Sequence, residues 1–442
     1  MKIVFLGGGA LRLLGTVDEI LRQPGHFPNP HLIFMDTARD RAETIAVLAK
    51  KMPSALNSNI KTEATDNLVY ALENADFVYC CIRVGGIQSL ERDKRIGANY
   101  GFHGHDDFGP SGLMLTARTV PVILSIAKQM EKSCPNSWLM IFTNPISTLI
   151  DAVTRYSRIR TVGLCPGVYN FAWDMDHLFG IGTPCVELAY RGGGINHFSW
   201  VCDATYKGEP LMDMIRLNFD DLPKREGASR CGWNRAAPFV NLYGAMFLNN
   251  GHQHHFFYHD ELAHEMAKRY SATPSDQLRS SIQNKQSVQA AALAKRDMIE
   301  YFWEQEPLKQ NASGPFGDIG VNFMAAIRQE TGTELAVTTH NHGHIQGLMP
   351  EMPVEATSHI HNGKIDPLGI DPVPNSMKGL CNAVAHHLRL SANAAVAGDK
   401  QELFKALLAE PTIRSYERAK PMFDELWEAA IQTGEVNCNK RT

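Results

Sequence analysis

Residues 2–23, KIVFLGGGALRLLGTVDEILRQ, and residues 31–36, HLIFMD, decide the fold. Residues 3–6 are a short apolar run with the composition of a buried parallel strand. The run enters Gly7, Gly8 and Gly9, and Leu13, Val17, Ile20 and Leu21 then recur at helical spacing. Residues 32–35 are a second apolar run, ending on Asp36. Strand, glycine turn, helix, strand and acid together make a dinucleotide-binding βαβ unit. In such a unit Gly7, Gly8, Gly9 and Ala10 bring backbone close to a pyrophosphate, and the helix N-terminus adds N–H groups and a positive dipole end. Asp36 stands where a ribose diol is bound, which favours NAD over NADP. Arg12 occupies the place of a third glycine; it suits a phosphate or carboxylate, and equally an exposed helix surface.

The 442 residues suffice for two or three domains or one large α/β core. Apolar residues make up 44%, and the net charge of −4 comes with no basic run, which argues against nucleic acid as the main partner. The N-terminal apolar segment is too short for a signal peptide or a membrane span, and no other stretch reads as spanning. Nine irregularly spaced cysteines fit a reduced, cytoplasmic protein, with Cys80 and Cys81 as core thiols.

Further along, residues 66–72 read as a helix and FVYCCI (77–82) as a third buried strand. Its end, Arg83-Val84-Gly85-Gly86, is a loop at the carboxyl edge of the sheet, where ligands bind in open α/β folds. Residues 91–112, ERDKRIGANYGFHGHDDFGPSG, carry His103, His105, Asp106 and Asp107 and read equally as a solvated loop. A helix is expected over 113–132. SWLMIFTNP is a strand ending on Thr143-Asn144-Pro145, and residues 160–164 are a strand that delivers Cys165.

A boundary is placed near residue 170. It separates a Rossmann-like nucleotide domain (1–170) from an α+β domain (171–442) for substrate, metal and oligomer contacts. Residues 186–200 read as a strand with a glycine interruption, ending near Asn196 and His197; residues 211–219 read as a helix. Residues 241–260 hold Tyr243, His252, His254, His255, Tyr258 and His259. Residues 335–354, with His340, His342 and His344, alternate like β structure, and SHIHNGKIDP reads as a hairpin turning at Asn362-Gly363. Residues 376–430 are helical in pattern. The histidines lack spaced motifs such as HExxH or paired CxxC, and a strand-tip cysteine followed thirty residues later by a histidine is a weak signal alone.

GGGA after the first strand, VGG after the third, YGFHGHDDFGPSG, RTVPV, TNP, GLCPG, GGINHFSW and VTTHNHGHIQGLMPEMPVEA occur in this order. As a set they resemble glycoside hydrolase family 4 over nearly the whole chain. TNP alone is shared with malate and lactate dehydrogenases, whose nucleotide domain is related. The resemblance implies NAD⁺, with Arg83, Val84 and Asn144 joining the glycine turn and Asp36 at the cofactor, and a divalent metal, usually Mn²⁺. It implies Cys165 and His197 as metal ligands, Asn144 and Asn196 as sugar-binding residues, and Asp106 as an acid with Asp107 adjacent. The implied reaction departs from two-carboxylate glycoside hydrolysis. Hydride leaves sugar C3, a base removes the C2 proton, the C1 group departs, water adds at C1, and the hydride returns. The resemblance also implies a homodimer or homotetramer.

This chain departs from the family pattern in places. Pro166 follows the metal cysteine, where a side chain able to donate a proton is common. The catalytic base falls within YGAMFLNNGHQHH and its surroundings, leaving Tyr243, His252, His254 and Tyr258 as candidates. ALRLLG replaces a serine-rich continuation of the glycine turn, which points toward an unphosphorylated hexoside or hexuronide, with Arg12, Arg92 and Arg95 as possible carboxylate partners. A 6-phosphoglycoside remains the alternative within the family. A plain 2-hydroxyacid or sugar dehydrogenase and a non-catalytic NAD-binding sensor are the readings outside it.

Overall fold

The computed structural model describes residues 1–55, 58–182, 185–229, 233–248, 253–272, 291 and 318–436. Among them the strands are β1 (Lys2–Leu6), β2 (His31–Met35), β3 (Lys61–Thr65), β4 (Phe77–Cys80), β5 (Trp138–Ile141), β6 (Arg160–Gly163), β7 (Leu188–Ile195), β8 (Phe198–Tyr206), β9 (Glu209–Pro210), β10 (Met246–Phe247), β11 (Thr333–His340), β12 (Pro353–His361) and β13 (Lys364–Pro367). All belong to one sheet in the order β10-β8-β7-β12-β11-β6-β5-β4-β1-β2-β3, with β13 on β12 and β9 on β8. The six strands from β3 to β6 are parallel in the order 3-2-1-4-5-6. That is the doubly wound nucleotide-binding order, as expected. The remaining strands continue the same sheet, because β11 joins β6 antiparallel at Thr338 and Gly163.

The apolar runs alternate between two covered faces. Ile3, Phe5, Phe34 and Tyr79 pack on one side with Leu13, Val17, Ile45 and Phe323. Val4, Leu6, Ile33 and Val78 pack on the other with Val120, Ile123 and Leu149. A strand buried on both faces needs apolar residues at every position, which is why these segments read as continuous runs. β3, KTEAT, escaped the sequence reading because it is an outer strand with polar side chains.

Register then aims the loops. Leu6 lies level with Met35 and Cys80, Cys80 with Ile141, and Ile141 with Gly163. Gly7, Asp36, Arg83, Asn144 and Cys165 therefore all leave the sheet at one edge. Gly8 is packed against the backbone there: a Cβ would stand 2.7 Å from Met35 N and Phe34 C. Because backbone cannot yield as a side-chain tip does, Gly8→Ala is expected to cost about 1–3 kcal/mol and to weaken NAD⁺ binding. Urea unfolding and cofactor fluorescence titration check both.

Several sequence expectations shift. The segment read as one strand over 186–200 is the hairpin β7–β8, turning on Asn196 and His197. The stretch 335–354 is two strands separated by an irregular loop. The Asn362-Gly363 turn forms as expected, with both φ values positive. The C-terminal helical pattern resolves into Lys378–Ala397, Lys400–Leu408 and Tyr416–Gln432. The helix expected from 113 begins at Gly109, whose φ of +68° and following Pro110 set the start. This helix, Gly109–Ser133, is long and apolar enough to cross a membrane, but 78% of its apolar window is buried within the fold. It therefore reads as a core helix.

Candidate active site

His103, His105 and Asp107 are buried, so the run 100–108 is not the solvated loop that its charge allows. Its backbone is tied to the start of the Gly109–Ser133 helix: His105 N–H donates to the Phe108 carbonyl at 3.1 Å, and Ser111 Oγ donates to the His105 carbonyl at 2.8 Å. The Asp107 carboxylate accepts from the N–H of Ile146, the first residue of the helix that follows Asn144 and Pro145. Asp107 Oδ2 is in contact with His197 Nδ1. One ligand atom each from His105, Asp107 and His197 lie within 4.8 Å of one another.

His197 reaches this point from the two-residue turn between β7 and β8, with φ of +64°. A non-glycine residue there is uncommon and held by its surroundings. Behind the turn, Glu355 of β12 takes the Asn196 Nδ2–H at 3.0 Å on one oxygen and the Ser199 hydroxyl at 2.7 Å on the other. Burial lifts the Glu355 pKa, opposed by these donors and by His197. Asn196 is 1% exposed, and its amide N–H braces the hairpin against Glu355. Burial disfavours a charged His197 ring, but Asp107 and the Cys165 sulfur beside it outweigh burial and raise its pKa well above the usual imidazole value. The Cys165 thiol thus meets His197, a pairing that only the family resemblance implied. Its sulfur accepts the Gly167 N–H at 3.4 Å, and Pro166 starts the turn in which Asn170 N–H donates to the Pro166 carbonyl.

Below the cluster lies a floor of neutral rings. His103 Nδ1 faces His255 Nδ1 at 2.9 Å, and His255 Nε2 faces Glu410 at 3.0 Å. Burial pulls His103 down to about 2 and His255 to about 3. The two facing Nδ1 atoms therefore need one ring with Nδ1 protonated and the other without.

The glycine turn differs from expectation in its donors. Gly7 N–H and Gly8 N–H both go to the Met35 carbonyl, and Gly9 N–H goes to Asp36 Oδ2 at 2.9 Å. Ala10 N–H closes on Gly7. The amides of Leu11 and Arg12 are the first with no partner among the described residues, and they sit at the mouth of the Leu13–Arg22 helix. Arg12 is exposed, and its guanidinium lies over the Phe142 ring at 5.5 Å.

Of the other expected residues, Asp106 accepts from Arg83 at 3.0 Å and from Lys94 at 3.1 Å. Val84 and Asn144 are half-buried at the strand tips, and the Asn144 side chain has no partner among the described residues. Arg92 is spent elsewhere: its guanidinium binds Asp93 at 2.8 Å and Glu435 at 2.9 Å, which corrects its placement at a substrate. Arg95 is half-buried on the same helix. Tyr243 is half-buried against Trp200 and Phe239. His254 is buried, its pKa drawn down to about 4 by burial and by Arg235. Tyr258 donates its hydroxyl to the Arg235 carbonyl at 3.2 Å. His252 lies outside the described residues. Sequence reasoning left His105 open and missed Glu355, although the latter lies in the quoted stretch PEMPVEA.

Two family models span most of the chain. Family 4 glycosyl hydrolase matches residues 2–181, and its C-terminal domain matches 193–413. The chain belongs to glycoside hydrolase family 4. A probable 6-phospho-beta-glucosidase of Bacillus subtilis is 27% identical over 97% of this chain and 96% of its own length. An alpha-galacturonidase of Thermoanaerobacter italicus is 24% identical over 97% and 96%. The Thermotoga maritima 6-phospho-beta glucosidase, solved with manganese, NAD⁺ and glucose-6-phosphate, has the same fold, with a TM-score of 0.82 at 19% identity over 99% of each chain.

Proposed function

We propose that this family 4 glycosidase cleaves its substrate by transient oxidation of the sugar, with NAD⁺ in the glycine-turn crevice and a divalent cation at His197. The observation that carries the reading is that Cys165, His197 and Asp107 meet beside the strand edge bearing Gly7 and Asp36. The donor set fits a borderline cation: buried imidazole and carboxylate ligand atoms with a thiol alongside. The Leu11 and Arg12 amides fit a pyrophosphate, and the Asp36 carboxylate fits a ribose diol. When bound, the two groups supply a hydride acceptor and a Lewis acid for neighbouring sugar oxygens.

The chain's own residues then divide the work. Asn144 offers an unspent amide to a sugar hydroxyl. Asp106, bridged to Arg83 and Lys94, stands as the acid candidate on the same loop as the cluster. For the C2 proton, His254 is too weak an acceptor near neutral pH and the Tyr258 hydroxyl is engaged. Tyr243, whose hydroxyl has no partner among the described residues, is our base. The relatives' activities support a 6-phosphoglucoside over an unphosphorylated hexoside.

The test is turnover of 6-phosphoglucosides in D₂O with NAD⁺, Mn²⁺ and reductant. Deuterium is expected at C2 of the released sugar, and Tyr243→Phe is expected to lower kcat and the rate of C2 deuterium incorporation together, by about 10²–10⁴-fold. Cleavage without deuterium at C2 would remove the elimination route. Turnover confined to galacturonides or galactosides would overturn the phosphosugar, and net NADH accumulation would point to a dehydrogenase instead.

A further inference from the structure

We propose that Glu435, just past the C-terminal helix Tyr416–Gln432, is a positioning residue for the cofactor: it clamps the loop Arg83–Gly86 in the form that receives NAD⁺. The inference rests on the reading of the glycine-turn crevice as the NAD⁺ site and extends it to the far end of the chain.

The loop leaves β4 beside the glycine turn. A Cβ on Gly7 would stand 2.8 Å from the Cys81 carbonyl oxygen and 3.2 Å from Ile82 N, so a displacement of this segment is felt in the crevice. Gly85 and Gly86 follow with φ of +80° and +67°. Glycine enters that region about as readily as it leaves it, so the loop backbone does not fix itself. What fixes it lies beneath. A Cβ on Gly85 would stand 2.9 Å from Ser89 Cβ and Oγ and 3.3 Å from Arg118 Cδ, so the loop rests on these two side chains. Both are buried, and both bind Glu435: Ser89 Oγ donates to its Oε1 at 2.5 Å and Arg118 Nη1 to its Oε2 at 3.0 Å. Arg92 donates to the same two oxygens at 3.0 and 2.9 Å, and the Thr433 hydroxyl to Oε1 at 2.7 Å. Arg118 makes its hydrogen bonds through Nη1, since its Nε and Nη2 have no partner among the described residues. Without Glu435, Asp93 is its one tether and the one anion binding both guanidinium groups, a surplus of positive charge that burial penalises. Freeing the loop taxes binding in a defined way. If about one-tenth of the molecules hold the receptive form, the apparent Kd rises about tenfold, while the saturated complex is unchanged.

The test titrates NADH, read by its fluorescence, into the full chain below the unfolding temperature of every variant, alongside steady-state kinetics. Glu435→Ala is expected to weaken NADH binding about tenfold and to leave kcat at saturating NAD⁺ and the KM for sugar within about twofold. Glu435→Gln, which keeps one acceptor oxygen, should recover part of the affinity. Ser89→Ala is expected to weaken binding about threefold alone and to add nothing on top of Glu435→Ala, because both remove one contact. Trp427→Leu, in the apolar cluster under the same C-terminal helix, controls for stability: it should lower the urea midpoint and leave NADH affinity as it was. If Glu435→Ala does not fold, as circular dichroism would show, the Ser89→Ala titration decides. Unchanged NADH affinity in the variant that decides would overturn the proposal. An equal loss in Trp427→Leu would do the same, since the effect would then be general destabilisation. A parent chain that binds no NADH would instead bring down the reading of the crevice itself.

Discussion

His197→Ala should reduce turnover by about 10⁴-fold or more while NAD⁺ still binds. The imidazole contacts both Asp107 and Cys165 and lies in the triad of converging ligand atoms. Removing it takes away the central donor, and a lost Lewis acid is worth several kcal/mol of transition-state stabilisation, of which about 5 kcal/mol corresponds to 10⁴. The nucleotide crevice is built from β1, β2 and the Leu13–Arg22 helix, none of which His197 supports. Cofactor titration and steady-state kinetics on one preparation separate the effects. Wild-type kcat with Ala at 197 would dismiss the site, and parallel loss of NAD⁺ binding would mean the hairpin had collapsed.

The second large effect concerns stability. Arg118 has a fully buried side chain that binds the equally buried Asp93 at 2.7 Å and Glu435 at 3.0 Å. Arg118→Met keeps the volume and leaves Asp93 with Arg92 as its one remaining cation among these residues. Breaking a buried pair from one side costs about 3–5 kcal/mol, because the stranded charge stays desolvated. The urea midpoint should fall accordingly, and an unchanged midpoint would show the pair to be hydrated. The pH dependence follows from Glu435. Burial opposes its ionisation, but Arg92, Ser89, Thr433 and Arg118 more than compensate and lower its pKa to about 2 from an ordinary 4.5. A carboxylate depressed on folding adds stability that is complete above about 4.5 and fades as the pH falls toward about 2. Glu435→Gln should remove that acid-sensitive component.

Residues 2–36 were enough to read the nucleotide fold, because buried parallel strands must be apolar throughout and a chain crossing their edge closely must be glycine. Both signals are local, so β1, β2, β4, β5 and β6 were all legible. The pairing of Cys165 with His197 was legible only through family resemblance, since neither spacing nor composition joins them. Which polar groups remain open for ligands could not be read at all. Gly7 and Gly8 look like phosphate donors until Met35 is seen to take their N–H groups. Arg92 looks like a substrate anchor until the C-terminal Glu435 meets it. His105 and Asp107 look solvated until a core helix closes over them. Local pattern sets which segments become strand, turn or helix. Partners brought together by the fold, from Met35 under the glycine turn to Glu435 against Arg92, set which groups are spent and which are left for chemistry, and that choice exists only once the sheet has assembled.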